Sequence, residues 1–295
     1  MKKVLFGFLS CMILICSCST EASNVVENYQ TTPTSEIVYK LGTFNDSLLP
    51  ISAITARGSG CSETLTYASV AYKDIKGAYK LGKVGFRIGR IFGPNGAVAG
   101  AAIGGLIGGA GYSYIEWQKR QSRASFGTTS PLEVTQAYVS VVESEPIYSN
   151  FTPTTIAVTY PSVTQDTQLM GAKHNLVLQA LVDNNLSRTP IEHCLTAVED
   201  SIISSKEFEE AYYAYFEDEN INSETNEDVP DAVMSLYLQI FQTYPERAND
   251  VEFITNKYIE LIEESDEISP EEKEIIYSAL SVAASSYEYW EEKLK

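Results

Sequence analysis

The sequence predicts a mainly α protein: a glycine-zipper helical hairpin followed by an acidic helical domain, with room for a few short strands. Three observations lead there. Gly96, Gly100, Gly104 and Gly108 recur every fourth residue inside a stretch, Ile91 to Ile115, that has no charged side chain. Six basic residues from Lys73 to Arg90 precede it at helical spacing. From Gln168 onward the chain reads as a series of amphipathic helices.

In chain order, Lys2 and Lys3 are followed by an almost wholly apolar run, Val4 to Ile15. Such a run is too short to span a bilayer comfortably and reads as a signal peptide over residues 1–17. It ends Ile15-Cys16-Ser17-Cys18, an aliphatic residue, a small residue and then Cys, which resembles the lipobox of bacterial lipoproteins. That resemblance implies Cys18 as the acylated first residue of the mature chain and a cell-envelope location, with the outer membrane favoured. An ordinary signal peptide is the plainer alternative. Residues 18–56 then form a tether, rich in Ser, Thr and Asn at first, and an extended segment. Ile37-Val38-Tyr39 reads as a short strand within it.

Residues 57–123 are read as the hairpin. Its first helix is expected from about Glu63 to Phe92. Lys73, Lys76, Lys80, Lys83, Arg87 and Arg90 are spaced by three or four, so they share one stripe. Gly82, Gly85, Gly89 and Gly93 fall mainly on the opposite side. The stripe either faces membrane headgroups or is a solvated face. Pro94-Asn95 marks the turn. The second helix, about Gly96 to Arg123, carries seven glycines by Gly111, each costing a helix about 1 kcal/mol relative to Ala. Such a helix needs close backbone packing or a membrane. It is either inserted in a bilayer, with Tyr112, Tyr114 and Trp117 at an interface, or buried in a soluble hairpin. In both cases the glycine faces are expected to meet as an antiparallel pair.

Residues 124–295 are read as an acidic, mainly helical domain. Ala137–Val142 and Thr154–Tyr160 read as strands, with a helix starting at Pro131 as the alternative to the first. Helices are expected over 168–186, 190–217, 229–244, 248–265 and 270–294. The last begins Ser269-Pro270-Glu271-Glu272, a capping serine with Pro in the first turn and Glu three residues on. Glu217 to Asp228 reads as an exposed acidic loop.

Charge is divided along the chain. Residues 57–123 carry ten basic and three acidic residues, whereas residues 124–295 carry eight basic and thirty-two acidic. The basic segment finds its partner either in an anionic membrane or in the chain's own acidic part. So strong a negative charge in residues 124–295 argues against nucleic acid there.

Reactive groups are sparse. Cys61 and Cys194 are the two cysteines beyond Cys18, and are read either as one disulfide or as two separate thiols. Two histidines and two cysteines give no zinc spacing, and no metal or cofactor is expected. Glu192-His193-Cys194 is the one local reactive cluster, but sequence neighbours rarely point together on a helix. The glycine region lacks the Gly-Lys-Ser/Thr ending of a phosphate loop. His174 reads as a structural histidine joining two helices. No catalysis is expected.

Asp74-Ile75-Lys76-Gly77-Ala78, the glycine series after it, Lys173-His174-Asn175 and Ser285-Ser286-Tyr287-Glu288-Tyr289-Trp290 together resemble uncharacterised secreted or lipid-anchored proteins of the Bacteroidota. The glycine series also resembles glycine-zipper segments of outer-membrane lipoproteins. What these resemblances imply is location. The expectation is a membrane-tethered lipoprotein with Gly85, Gly89, Gly93, Gly96, Gly100, Gly104 and Gly108 packing helices at or in the bilayer. The six cations would lie at the membrane surface, and the acidic domain would serve a protein partner or self-association. A secreted, bacteriocin-like membrane antagonist is the alternative, and an exported enzyme a third.

Overall fold

Two long helices, α2 (Cys61–Gly89) and α3 (Pro94–Gln121), lie antiparallel at the centre of the protein. The computed structural model describes residues 35–48, 61–121, 129–143, 165–217, 228–243 and 250–294. The signal segment, Cys18, the expected strand at Thr154–Tyr160 and residues 218–227 of the acidic loop lie outside them. Among the described residues there are ten α-helices and no strand.

The reversal between α2 and α3 is a short 3-10 turn, Arg90–Phe92, closed by Gly93 at φ +86. That left-handed conformation suits a residue without a Cβ. Gly93 N–H donates to the Arg90 carbonyl at 3.0 Å, and Pro94 then starts α3 where no amide donor is needed. Gly93 therefore shapes the turn. It has no neighbour on its Cβ side and takes no part in helix packing.

Beyond the turn the two backbones touch. Gly89 faces Gly96, Gly85 faces Gly100, Leu81 faces Gly104 and Gly77 faces Gly108, a single register that advances four residues per step on each helix. A Cβ added at Gly85 would lie 2.9 Å from the Gly100 carbonyl carbon and closer still to its oxygen. Beside this row runs a second: positions for a Cβ on Gly105 and Gly109 lie 3.1 Å from the Ala78 and Asp74 carbonyls. Approach this close lets Cα–H groups meet carbonyl oxygens and multiplies dispersion contacts, which offsets the poor intrinsic helicity of glycine.

The remaining helices sheathe this pair. α10 (Pro270–Leu294) runs antiparallel to α2: Ile275 lies 3.7 Å from the Gly82 Cβ position, and Ser286 and Trp290 reach Asp74. α5 (Gln165–Val182) runs parallel to α10, bonded through Thr167 to Glu274 at 2.5 Å, Gly171 N–H to Ser281 Oγ at 3.0 Å and Asn175 to the Ser285 carbonyl at 3.0 Å. α6 (Ala197–Ile203) sets Ile202 against Gly100, and α7 (Lys206–Glu217) sets Tyr212 against Gly111. α4 (Pro131–Glu143) joins α6 through Tyr138, which donates to Glu199 at 2.9 Å. α3 is the described helix long and apolar enough to cross a membrane, and 78% of its most apolar window is buried inside the protein.

A second aromatic cluster closes the other side. α8 (Val229–Thr243) and α9 (Val251–Glu263) bring Tyr237 within 5.0 Å of Tyr258 and 5.1 Å of Phe241, ring centre to ring centre. α1 (Glu36–Ser47) packs on them with Ile37 and Leu41, and its Asn45 accepts from Tyr258 and donates to the Leu236 carbonyl. Residues Thr34–Lys295 thus form one compact unit, so the boundary expected at 123/124 falls inside it. Residues 1–34 lie outside the described residues.

Several expected elements change. Ile37-Val38-Tyr39 is helical, because Ser35 caps Val38 N–H at 3.3 Å and Ile37 and Leu41, four apart, bury on one face. Ala137–Val142 belongs to α4, whose Ser130-Pro131-Leu132-Glu133 start forms a reciprocal capping box: Ser130 N–H donates to Glu133 at 2.8 Å, and Glu133 N–H to Ser130 Oγ at 3.3 Å. The helix expected over 190–217 is three pieces, a 3-10 turn at Ile191–His193, then α6 and α7. A further capping box, Thr196 with Glu199, restarts the chain there.

Gly85→Ala or Gly100→Ala should lower unfolding free energy by about 3 kcal/mol or more, because backbone rather than a mobile side chain must give way. Gly42→Ala, with open space around it in α1, should raise it by up to about 1 kcal/mol. Urea unfolding followed by circular dichroism checks both. Alkali offers a second check. Burial raises the phenols of Tyr212, Tyr237, Tyr258 and Tyr287, and pushes Tyr72 up to about 12. A phenol held above its unfolded value of about 10 contributes stability that is whole below that value. That stability is lost as pH rises toward the folded value, because the unfolded chain then releases the proton first. Helicity should therefore fall together with the appearance of phenolate absorbance above about pH 10. Full ionisation near that pH with helicity unchanged would contradict this burial.

Candidate functional site

The most concentrated polar chemistry lies where α2, α3, α5 and α10 converge. Asp74 on α2 and His174 on α5 are both fully buried. His174 Nε2 lies 2.8 Å from Asp74 Oδ1. Asp74 Oδ2 accepts from Trp290 Nε1 at 2.6 Å and from the Ser286 hydroxyl, both on α10. The imidazole fits against α3 because residue 109 is glycine: a Cβ there would sit 3.0 Å from His174 Cδ2.

Asn175 holds the far side of the ring. Its Nδ2 donates to the Ser285 carbonyl, which turns its Oδ1 toward His174 Nδ1 at 3.1 Å. The ring thus lies between Asn175 Oδ1 and Asp74 Oδ1, each within hydrogen-bond distance of one ring nitrogen. All three donors to Asp74 are satisfied by this one carboxylate. An enclosed pair of this kind contributes little net stability when intact, yet removing one partner costs about 3–5 kcal/mol.

The Ser286 hydroxyl donates to the aspartate. His193 is exposed, and the Cys194 thiol points to Glu143 Oε1 at 4.0 Å. The hydroxyls of Thr189 and Ser187 hold the Glu143 carboxyl below its usual value. Cys194 is a free thiol, and the Cys61 side chain lies outside the described residues. Among the described residues no group of three His, Cys, Asp or Glu is placed to hold a metal.

The cationic stripe is divided between uses. Lys76 is only 3% exposed and cannot serve a membrane surface. Lys83 bonds Asp231 at 2.7 Å and Asp228 at 3.3 Å. Burial lowers its affinity for a proton, but these carboxylates outweigh that and raise it. Tyr79 donates to the same Asp231 oxygen at 2.7 Å. Arg87 pairs with Glu207 on α7. Lys73 and Lys80 are half-buried, and Arg90 is exposed, 5.8 Å over the Phe86 ring. Helical spacing placed the six on one stripe, but the acidic helices α7 and α8 cover part of it. The Asp74 clasp was not legible beforehand, although Lys173-His174-Asn175 and the Ser285–Trp290 run both supply it.

Comparison with known proteins finds no family model that matches the chain, and no curated protein or solved structure that matches it.

Asp74→Ala should cost about 3–5 kcal/mol by leaving the His174 ring, a hydroxyl and an indole N–H without their buried partner. His193→Ala, at an exposed position, should stay within about 0.5 kcal/mol of the parent. Urea unfolding followed by circular dichroism checks both.

Proposed function

We propose that this protein is an envelope lipoprotein, held to the membrane by acyl-Cys18, whose helical domain makes protein contacts and performs no catalysis. The glycine-zipper hairpin serves as the domain's internal spine. The observation that carries this reading is the burial of α3: its apolar window already has a protein environment and needs no lipid. The pairing of Lys83 and Arg87 with Asp231 and Glu207 supports it, because part of the basic stripe is matched by the chain's own acids. The Asp74 clasp fastens α2 to α5 and α10, which weighs against an antagonist whose hairpin must leave its host.

The lipobox supports the anchor, and metabolic labelling with a clickable fatty acid tests it. The parent chain should incorporate label and sediment with membranes, while Cys18→Ala, carried behind an exchanged cleavable signal peptide, should lose the label and be released by a carbonate wash. Retention of Cys18→Ala in washed membranes would overturn the internal-spine reading, and absence of label on the parent would overturn the anchor.

A further inference from the structure

The turn between α2 and α3 leaves two consecutive apolar side chains in solvent. Ile91 is 74% exposed and Phe92 45%, whereas Val84, Phe86 and Ile88 before them are partly buried against the core. Gly93 and Pro94 fix the turn, so the pair projects from the end of two long helices rather than from a loose loop. Arg90 is exposed beside them, and Arg87 lies one turn back with its side chain 65% exposed.

The position of this tip in the fold gives it meaning. α10 runs antiparallel to α2, with Ile275 beside Gly82. Gly82 is seven residues, about 10 Å, short of Gly89, and Pro270 is five residues, about 8 Å, beyond Ile275. The first turn of α10 is therefore close to level with the last turn of α2. Glu267, just before α10, accepts from the Glu36 N–H at 2.7 Å and the Ile37 N–H at 3.2 Å. Ser35, where the chain enters the described fold, consequently lies at the same end of the domain as Ile91 and Phe92.

We infer that this end of the domain faces the bilayer, with Ile91 and Phe92 set into the interfacial region and Arg90 against lipid phosphates. The inference rests on the lipid anchor proposed above, because the anchored segment would then arrive on the side that carries the exposed apolar pair. Apolar insertion supplies the contact and Arg90 orients it. Glu36, Glu267, Glu271 and Glu272 surround the entry point, so attraction to anionic lipid alone does not account for it.

Tryptophan substitution reads this out at single positions. Full-length lipidated protein carrying Ile91→Trp, or Phe92→Trp as a second variant, is placed in phosphatidylethanolamine–phosphatidylglycerol vesicles with or without brominated acyl chains. Phe253→Trp is the reference. Phe253 is 60% exposed on α9, ten residues before Glu263, which meets Lys273 and Tyr277 near the start of α10. It therefore lies about 15 Å back from the tip end. Emission is taken relative to the parent, which already holds Trp117 and Trp290. The emission added at position 91 or 92 should shift to the blue and be largely lost with brominated lipid, while that at 253 should not change. Vesicle-bound protein whose emission at 91 and 92 ignores bromine would overturn the inference, as would equal quenching at 253. Mass spectrometry for the acyl group on Cys18 reports the anchor separately, so failure of the anchor and failure of the tip are distinguishable.

Discussion

The approach of α2 to α3 at backbone distance is the constraint on which the rest of the structure depends. Four facing pairs, Gly77–Gly108, Leu81–Gly104, Gly85–Gly100 and Gly89–Gly96, set both the separation and the register. Helices so close expose little side-chain area to each other, so hydrophobic burial must come from elsewhere. It comes from the sheath: Ile202, Tyr212 and Ile275 each pack directly on a glycine of the pair. A helix built from glycine, alanine and a few aliphatic residues can then serve as a core element. Its weak helicity is tolerable because 78% of its most apolar window is covered by the other helices.

The same closeness dictates the polar interior. Asp74 on α2 is fully buried against α5 and α10, so its carboxylate must find its partners inside the protein. Its environment answers with three partners from two other helices, His174, Ser286 and Trp290, and Asn175 holds the far side of the His174 ring. Such a cluster contributes specificity of packing more than stability. It allows one rotation and one register of α5 and α10 about the hairpin. Lys83 and Arg87 do similar work at the surface, where Asp231 and Glu207 meet the basic side of α2. The charge division of the sequence thereby has an internal use.

Helix identity was legible wherever period and caps agreed, as at Ser269-Pro270-Glu271-Glu272 and through α8, α9 and α10. The reversal came a few residues earlier than Pro94-Asn95 suggested, at Arg90–Gly93, because Pro is well suited to open a helix and here begins α3. Ile37-Val38-Tyr39 misled because three β-branched or aromatic residues read as a strand locally, while the cap from Ser35 and the carboxylate of Glu267 decide the matter. The Ser130-Pro131-Leu132-Glu133 start carries the same signature as that of α10, and the apolar run behind it obscured it. The Asp74 clasp was hidden for a different reason. Its members are a hundred or more residues apart, and a single sequence holds no record of which distant polar groups share a partner. Likewise, spacing puts six cations on one stripe but does not say which of them another helix will cover.

Burial of α3 in water, without lipid, is the central claim, and hydrogen exchange over residues 96–115 tests it most directly. On unlipidated protein in detergent-free buffer, these amides should exchange slowly, only through global unfolding, and their protection should not change when vesicles are added. Rapid exchange in buffer with protection gained only on vesicles would contradict the account and make the bilayer, rather than the sheath of helices, the partner of the glycine-rich helix.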